Sequence, residues 1–314
     1  RRNAWLLLFG LAHVYLLLFP GDILFIYALA AMLAWPLRKL SPGLLLALAL
    51  AWVGFQTGQG ALDYRDRTVL EQRVEAGEPA AVAEWDELKA GLEPDTEFMA
   101  FDRATRLGPF PAYARFGQGI WWHERLMTGE ILLFSVPEAL AAMLLGAALF
   151  KWRVLQGGRS RRFYLGMAIV MYALALPLRW IEAQQFLAFS PAPRLGWITE
   201  EVARIALTLG HVALVNLLLS LRPGQWLLAP FKAAGRTALS LYLMQSLVCG
   251  WLLFPGIGLG WFGRFGWAGL TAIALALIAL QLVLANLWLR RFRSGPLEWL
   301  WRRLAGAGAG KPEA

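Results

Sequence analysis

Residues 266–289 run for twenty-four positions without a charged side chain and are then stopped by Arg290, Arg291 and Arg293. A helix of about 20 apolar residues crosses the ~30 Å hydrocarbon core of a bilayer, so this segment is long enough to span one. Seven further apolar runs precede it, at 4–19, 23–37, 44–57, 131–150, 163–178, 202–221 and 233–254. In lipid every backbone polar group must be satisfied within the chain, as a helix does within its own segment. The expected fold is therefore all-α: a polytopic membrane helical bundle of about eight transmembrane helices. Only 16% of residues are charged, against about 25% in an ordinary soluble domain, which argues the same way.

The net charge of +9 would suit a nucleic-acid partner if it formed a face, but its distribution says otherwise. Residues 58–128 hold eight Lys/Arg against thirteen Asp/Glu, leaving twenty-two against eight elsewhere. The basic excess sits in short loops between apolar runs. Arg1 and Arg2, Arg38 and Lys39, Lys151 to Arg162, Arg222 to Arg236 and the cluster after residue 289 all fall on one side if eight runs cross in alternation. The other short connections hold Arg194 and Arg264. Lys and Arg are retained on the cytoplasmic side during insertion, so both ends are expected inside, and no nucleic-acid partner is expected.

This divides the chain into three spans in 1–57, an extracytoplasmic polar helical loop or cap in 58–128, five spans in 129–289 and a basic amphipathic helix in 290–304. A Gly/Ala-rich tail, 305–314, is expected to be disordered. Trp121 and Trp122 suit the interfacial aromatic belt, and Trp299 and Trp301 suit a helix lying along the inner surface. The single cysteine, Cys249, lies in an apolar run and excludes an intrachain disulfide. The first run opens at once after Arg1 and Arg2, so further sequence is expected upstream. There is no phosphate-binding loop, no His-Glu-x-x-His and no paired-cysteine site, and three histidines are too few for a multi-histidine centre; no metal is expected.

Three passages carry a resemblance. Gly10-Leu11-Ala12-His13 is followed by Gly21-Asp22-Ile23-Leu24 and Tyr27-Ala28. Then come Gly235-Arg236-Thr237-Ala238-Leu239-Ser240-Leu241-Tyr242-Leu243-Met244-Gln245-Ser246 and Phe292-Arg293-Ser294-Gly295-Pro296-Leu297-Glu298-Trp299-Leu300-Trp301-Arg302. In order, spacing and topology they resemble the YeiB-like family of bacterial inner-membrane proteins, a domain-of-unknown-function family. That family is distantly similar to transmembrane acyltransferases and usually carries two more spans upstream. The resemblance implies a multi-pass inner-membrane location. It also implies an acyl-CoA-type donor on the cytoplasmic side and an envelope glycan or lipid as acceptor.

Ionisable residues inside spans are costly and are the first places to look for chemistry. His13 and Asp22 are the candidate catalytic pair: a carboxylate on one imidazole nitrogen orients the ring and prepares the other to take a hydroxyl proton. The competing reading has Asp22 capping the second helix and His13 filling a packed polar gap. Arg236, Ser240, Tyr242 and Gln245 form a polar stripe that suits donor or substrate binding, with Arg236 meeting a phosphate or a lipid headgroup. Glu138, one residue after Pro137, is a further binding candidate that needs a partner or a proton. His211 reads as a packing residue, and Arg179 and Glu182 as an ion pair one turn apart. A transporter or permease using the same stripe without bond making, and a structural or regulatory membrane protein, are the alternative functions.

Overall fold

The computed structural model describes residues 1–306; the expected tail from residue 307 onward lies outside them. Each of the eight apolar runs is largely helical, and no strand occurs among the described residues. In chain order the α-helices are α1 (Arg2–Tyr15), α2 (Leu24–Leu37), α3 (Pro42–Glu75), α4 (Pro79–Ala90), α5 (Thr96–Leu107), α6 (Phe110–Gly119) and α7 (Val136–Lys151). They continue with α8 (Arg161–Leu187), α9 (Gly196–Leu219), α10 (Arg222–Arg236), α11 (Ala238–Leu247), α12 (Trp267–Arg291) and α13 (Pro296–Leu304). Three π-helical stretches, Ile120–Met127, Glu130–Ser135 and Val248–Leu253, extend α6, lead into α7 and extend α11.

Among the described residues, five helical segments are long and apolar enough to cross a membrane: α3, Glu130–Lys151, α8, α9 and α12. Leu24–Leu37 and Ala238–Leu253 are shorter apolar helices. The most apolar window of α12 has 11% of its residues buried within the protein. Its remaining leucines, alanines and isoleucines cover themselves only if lipid does so, since exposed apolar surface of this extent is not tolerated in water. The chain is a membrane protein and the bilayer its solvent.

Two units divide the chain, and each takes non-contiguous segments. One comprises 1–37, 97–143 and 226–314; the other comprises 38–96 and 144–225. In the second, α8 packs along α9, and α9 along α3. Tyr164, Ala168 and Ala213 form the buried seam with Val154, and the Tyr164 hydroxyl donates to the Val154 carbonyl at 2.7 Å. A Cβ at Gly60 would overlap the Trp197 carbonyl, so glycine is what lets α3 and α9 approach this closely. Ser41 and Ser160 cap α3 and α8 by accepting from Leu44 N and Phe163 N. The expected ion pair forms, with Arg179 Nη1 2.5 Å from Glu182 Oε2.

Several boundaries differ from the sequence expectation. The run expected to end at Thr57 continues as one helix to Glu75, because the glycines at 54, 58 and 60 lower helix propensity without breaking hydrogen bonds. At 34 residues α3 is about 50 Å long, well beyond a bilayer core. The polar segment 58–128 divides between the two units after Thr96. The span expected from residue 233 is interrupted at Thr237, where α10 ends and α11 begins. Trp121, expected in an interfacial belt, is 2% exposed and packs edge-on against Tyr15 and Phe25; Trp122 remains exposed.

Within the first unit, α1 and α2 pack as an antiparallel pair around Val14, Ile26 and Ala30, with Trp121, Ile131 and Val136 completing the core. Each helix is only fourteen residues long. The residues between them, 16–23, form a folded connection rather than the tight turn anticipated at Pro20-Gly21-Asp22, and Leu18 there has φ +57°.

Candidate functional site

His13 occupies the last turn of α1 and is 1% exposed, as is Asp22 at the entrance to α2. Two features bring them together. Gly10 lies one turn before His13, and a Cβ there would stand 2.5 Å from Phe25 N and 2.6 Å from Asp22 Oδ2, so a side chain would push the helices apart. The connecting residues then return Asp22 beside the ring: Asp22 Oδ1 lies 2.7 Å from His13 Nδ1, while Oδ2 accepts from Phe25 N at 2.7 Å. Asp22 thus caps α2 with one oxygen and holds the imidazole with the other.

On the far side of the ring, His13 Nε2 lies 2.6 Å from the Ser246 hydroxyl oxygen, and Ser246 is 6% exposed. A carboxylate can only accept, so Nδ1 donates to Asp22. In the neutral ring Nε2 then presents its lone pair to the Ser246 O–H. The ring is fixed further by Phe19, stacked at 5.1 Å between centroids, and by Tyr242, edge-on at 4.8 Å. The Tyr242 hydroxyl accepts from Ile23 N at 3.2 Å and lies 3.5 Å from Asp22 Oδ1. The result is a buried Asp–His–Ser chain held from α1, the 16–23 connection and α11.

Ser246, the outer end of this chain of bonds, lines a cavity of about 760 Å³ whose wall also includes Phe19, Tyr242, Cys249, Phe262 and Arg106. Such a volume suits one small-molecule ligand, and the wall is mostly apolar with a few polar groups. Arg106 is held by Asp102 at 2.7 Å and lies over the rings of Phe116 and Phe262. Tyr113 donates to the Gly250 carbonyl at 2.7 Å. Burial pushes its phenol pKa above the ordinary value, with Arg106 opposing, so it remains a donor through the neutral range. Trp251 Nε1 donates to Leu17 O at 3.2 Å and ties the connection to the π-helical stretch after Ser246.

The remaining site residues are distributed differently. Gln245 Nε2 donates to Gln281 Oε1 at 3.0 Å and Gln281 donates to Leu241 O at 2.9 Å, joining α11 to α12, and Gln245 also borders the cavity. Ser240 stands at the opposite end of α11, where its N–H and hydroxyl donate to Glu298 at 3.1 and 2.5 Å and its oxygen accepts from Leu297 N at 3.0 Å. Arg236 is exposed and donates one N–H to the Arg293 carbonyl at 2.6 Å. Glu138 lies in the first turn of α7, partly buried, and does not border the cavity. His211 uses Nδ1 on the Leu207 carbonyl at 2.7 Å and packs edge-on against Tyr172, a packing role.

Sequence reasoning missed Ser246 and Glu298. Ser246 follows Tyr242 by four residues, the spacing that puts two side chains on one helix face, and this was the available signal. Glu298 is the only acid between Arg290 and Leu304, inside a basic amphipathic helix. An acid retained there and 8% exposed has a partner, and here it is the first turn of α11.

Comparison with known proteins places this architecture. Residues 149–307 match the family described as "Protein of unknown function (DUF418)". The "Uncharacterized protein YxaH" of Bacillus subtilis (strain 168) is 30% identical over 309 residues, covering 96% of this chain and 70% of the relative. The "Uncharacterized protein YeiB" of Escherichia coli (strain K12) is 27% identical over 320 residues, covering 98% and 76%. No solved structure shows significant similarity. The chain therefore belongs to the DUF418 family, the YeiB-like membrane proteins.

Proposed function

We propose that the protein transfers an acyl group from a cytoplasmic acyl-CoA-type donor to a hydroxyl of an envelope glycan or lipid, as a multi-pass protein of the bacterial inner membrane. The observation that carries this reading is the buried Asp22–His13–Ser246 chain, whose Ser246 end lines a ligand-sized cavity. Acyl transfer to an alcohol needs a base that removes the hydroxyl proton as the carbonyl is attacked, and an imidazole oriented by a carboxylate is such a base. Asp22 positions the ring; His13 moves the proton.

The sidedness in this proposal has support from pairings between loops. Lys151 Nζ donates to Arg38 O and Leu40 O at 2.8 and 2.6 Å, joining the end of α7 to the connection before α3. Arg161 donates to Ser220 O at 2.6 Å, joining the start of α8 to the end of α9. Trp301 donates to Arg2 O at 2.9 Å. Each bond links two segments that the basic loops assign to the cytoplasmic side. Arg236, near α13 and exposed, is the group that would meet donor phosphates there.

The test is incubation of the full-length protein, in proteoliposomes, with acetyl-CoA radiolabelled in the acetyl group and a bacterial envelope extract. Label should pass to extract components with wild type and fail to pass with His13→Ala. Equal labelling by both would remove His13 from the chemistry, and solute flux without donor consumption would favour transport.

A further inference from the structure

We infer that Ser246 is a covalent catalytic nucleophile, carrying the acyl group as a serine ester between donor and acceptor; this rests on the acyl-transfer reading above. A base acting directly on an acceptor would keep its lone pair open for the acceptor hydroxyl. Here the hydroxyl at His13 Nε2 is the protein's own, at 2.6 Å. The first hydroxyl this imidazole can deprotonate is therefore that of Ser246.

Hydroxyls elsewhere in the helices show how unusual this is. Thr68, Thr208 and Thr271 each donate to the carbonyl four residues earlier, the ordinary arrangement for a hydroxyl in a helix. Ser246 instead bonds the imidazole. It also lies two residues before the π-helical stretch Val248–Leu253, whose wider turn puts Cys249 and Gly250 on the same cavity wall. A hydroxyl, a base bonded to it and a third group orienting the base is the arrangement that makes a serine nucleophilic.

The two half-reactions balance. Ser246 Oγ attacks the thioester carbonyl carbon and its proton passes to His13 Nε2; the C–S bond then breaks and that proton leaves on the thiol. Next an acceptor hydroxyl attacks the serine ester and gives its proton to His13 Nε2. The C–O bond to Ser246 breaks and the proton returns to Oγ. No oxidant, reductant or metal is consumed. A single ligand-sized cavity suffices, because the acceptor reacts only after the donor remnant has left.

The experiment treats full-length protein in detergent with a fluorophosphonate probe and, separately, with radiolabelled acetyl-CoA, each followed by peptide mapping. The expected result is probe on the peptide containing Ser246, lost at least tenfold in His13→Ala, and an acetyl ester on the same peptide that an added acceptor extract discharges. Ser246→Cys, which keeps size and a nucleophilic atom, should carry acetyl as a thioester even if Ser246→Ala folds poorly. Wild-type transfer that persists in Ser246→Ala, or transfer without label on this peptide, would overturn the acyl-serine while leaving acyl transfer standing. Probe labelling of Ser246 without acetyl-CoA turnover would sustain the activated serine and remove the donor assignment.

Discussion

The two ends of α11 each carry a serine, Ser240 half-buried against the Glu298 carboxylate and Ser246 buried against the carboxylate-held His13 ring, yet they differ in what remains available. At the start of the helix, Ser240 both donates and accepts, and Glu298 supplies the negative charge that a helix N-terminus favours. Thr237 makes no side-chain cap bond, so Glu298 from α13 takes that role. Gly295 is required for the close approach, since a Cβ there would stand 2.7 Å from Ser240 Oγ and overlap Glu298. Six residues later, about 9 Å along the helix, Ser246 bonds a base on the wall of a cavity. Saturated polar clusters fix structure; a cluster with one reactive hydroxyl and a neighbouring cavity can do chemistry. The same resembling passage, residues 235–246, thus serves a docking joint at one end and a candidate reaction centre at the other.

Four substitutions would break or sharpen this contrast. The largest effect is expected for His13→Ala, which should lower acyl transfer by about 10³–10⁴-fold, near the upper range for a lost general base. A loss below tenfold in correctly folded protein would put the centre on a par with the joint. Asp22→Asn should cost about 10²–10³-fold and change the pH–rate profile, because the amide neither fixes the ring tautomer nor stabilises the protonated ring. An unchanged profile with only lower thermal stability would reduce Asp22 to its capping bond.

Glu298→Ala should act on stability instead. Removing the acceptor for two donors at the N-terminus of α11 should cost about 2–3 kcal/mol, read by thermal unfolding in detergent, with turnover per folded molecule nearly unchanged. Glu298→Gln should restore part of that. The smallest effect is expected at Arg236→Ala: about tenfold higher KM for acyl-CoA, equivalent to ~1.4 kcal/mol for one charged contact, with kcat little altered. A lower melting temperature with unchanged KM would assign Arg236 wholly to the Arg293 carbonyl.

The helices were legible because apolar period and charge punctuation are local properties, and in α12 both boundaries came within two residues of expectation. The extension of α3 to Glu75 was not, because a polar continuation of a helix has no apolar signal to announce it. The interleaving of segments into two units was equally hidden, since packing partners far apart in sequence leave no trace in a single chain. At the site, nine residues separate His13 from Asp22 and both stood out as rare polar groups in apolar surroundings. Ser246 is 233 residues from His13. A serine in a membrane helix is common, and only the folded chain distinguishes one that bonds an imidazole from one that bonds its own backbone.

The contrast between the two serines is tested most directly by measuring acyl transfer per folded molecule for Ser240→Ala and Ser246→Ala side by side, from labelled acetyl-CoA to envelope extract. The account predicts near wild-type turnover for the first, with lower thermal stability, and loss of turnover for the second. Equal turnover in the two variants, or the reverse order, would contradict it.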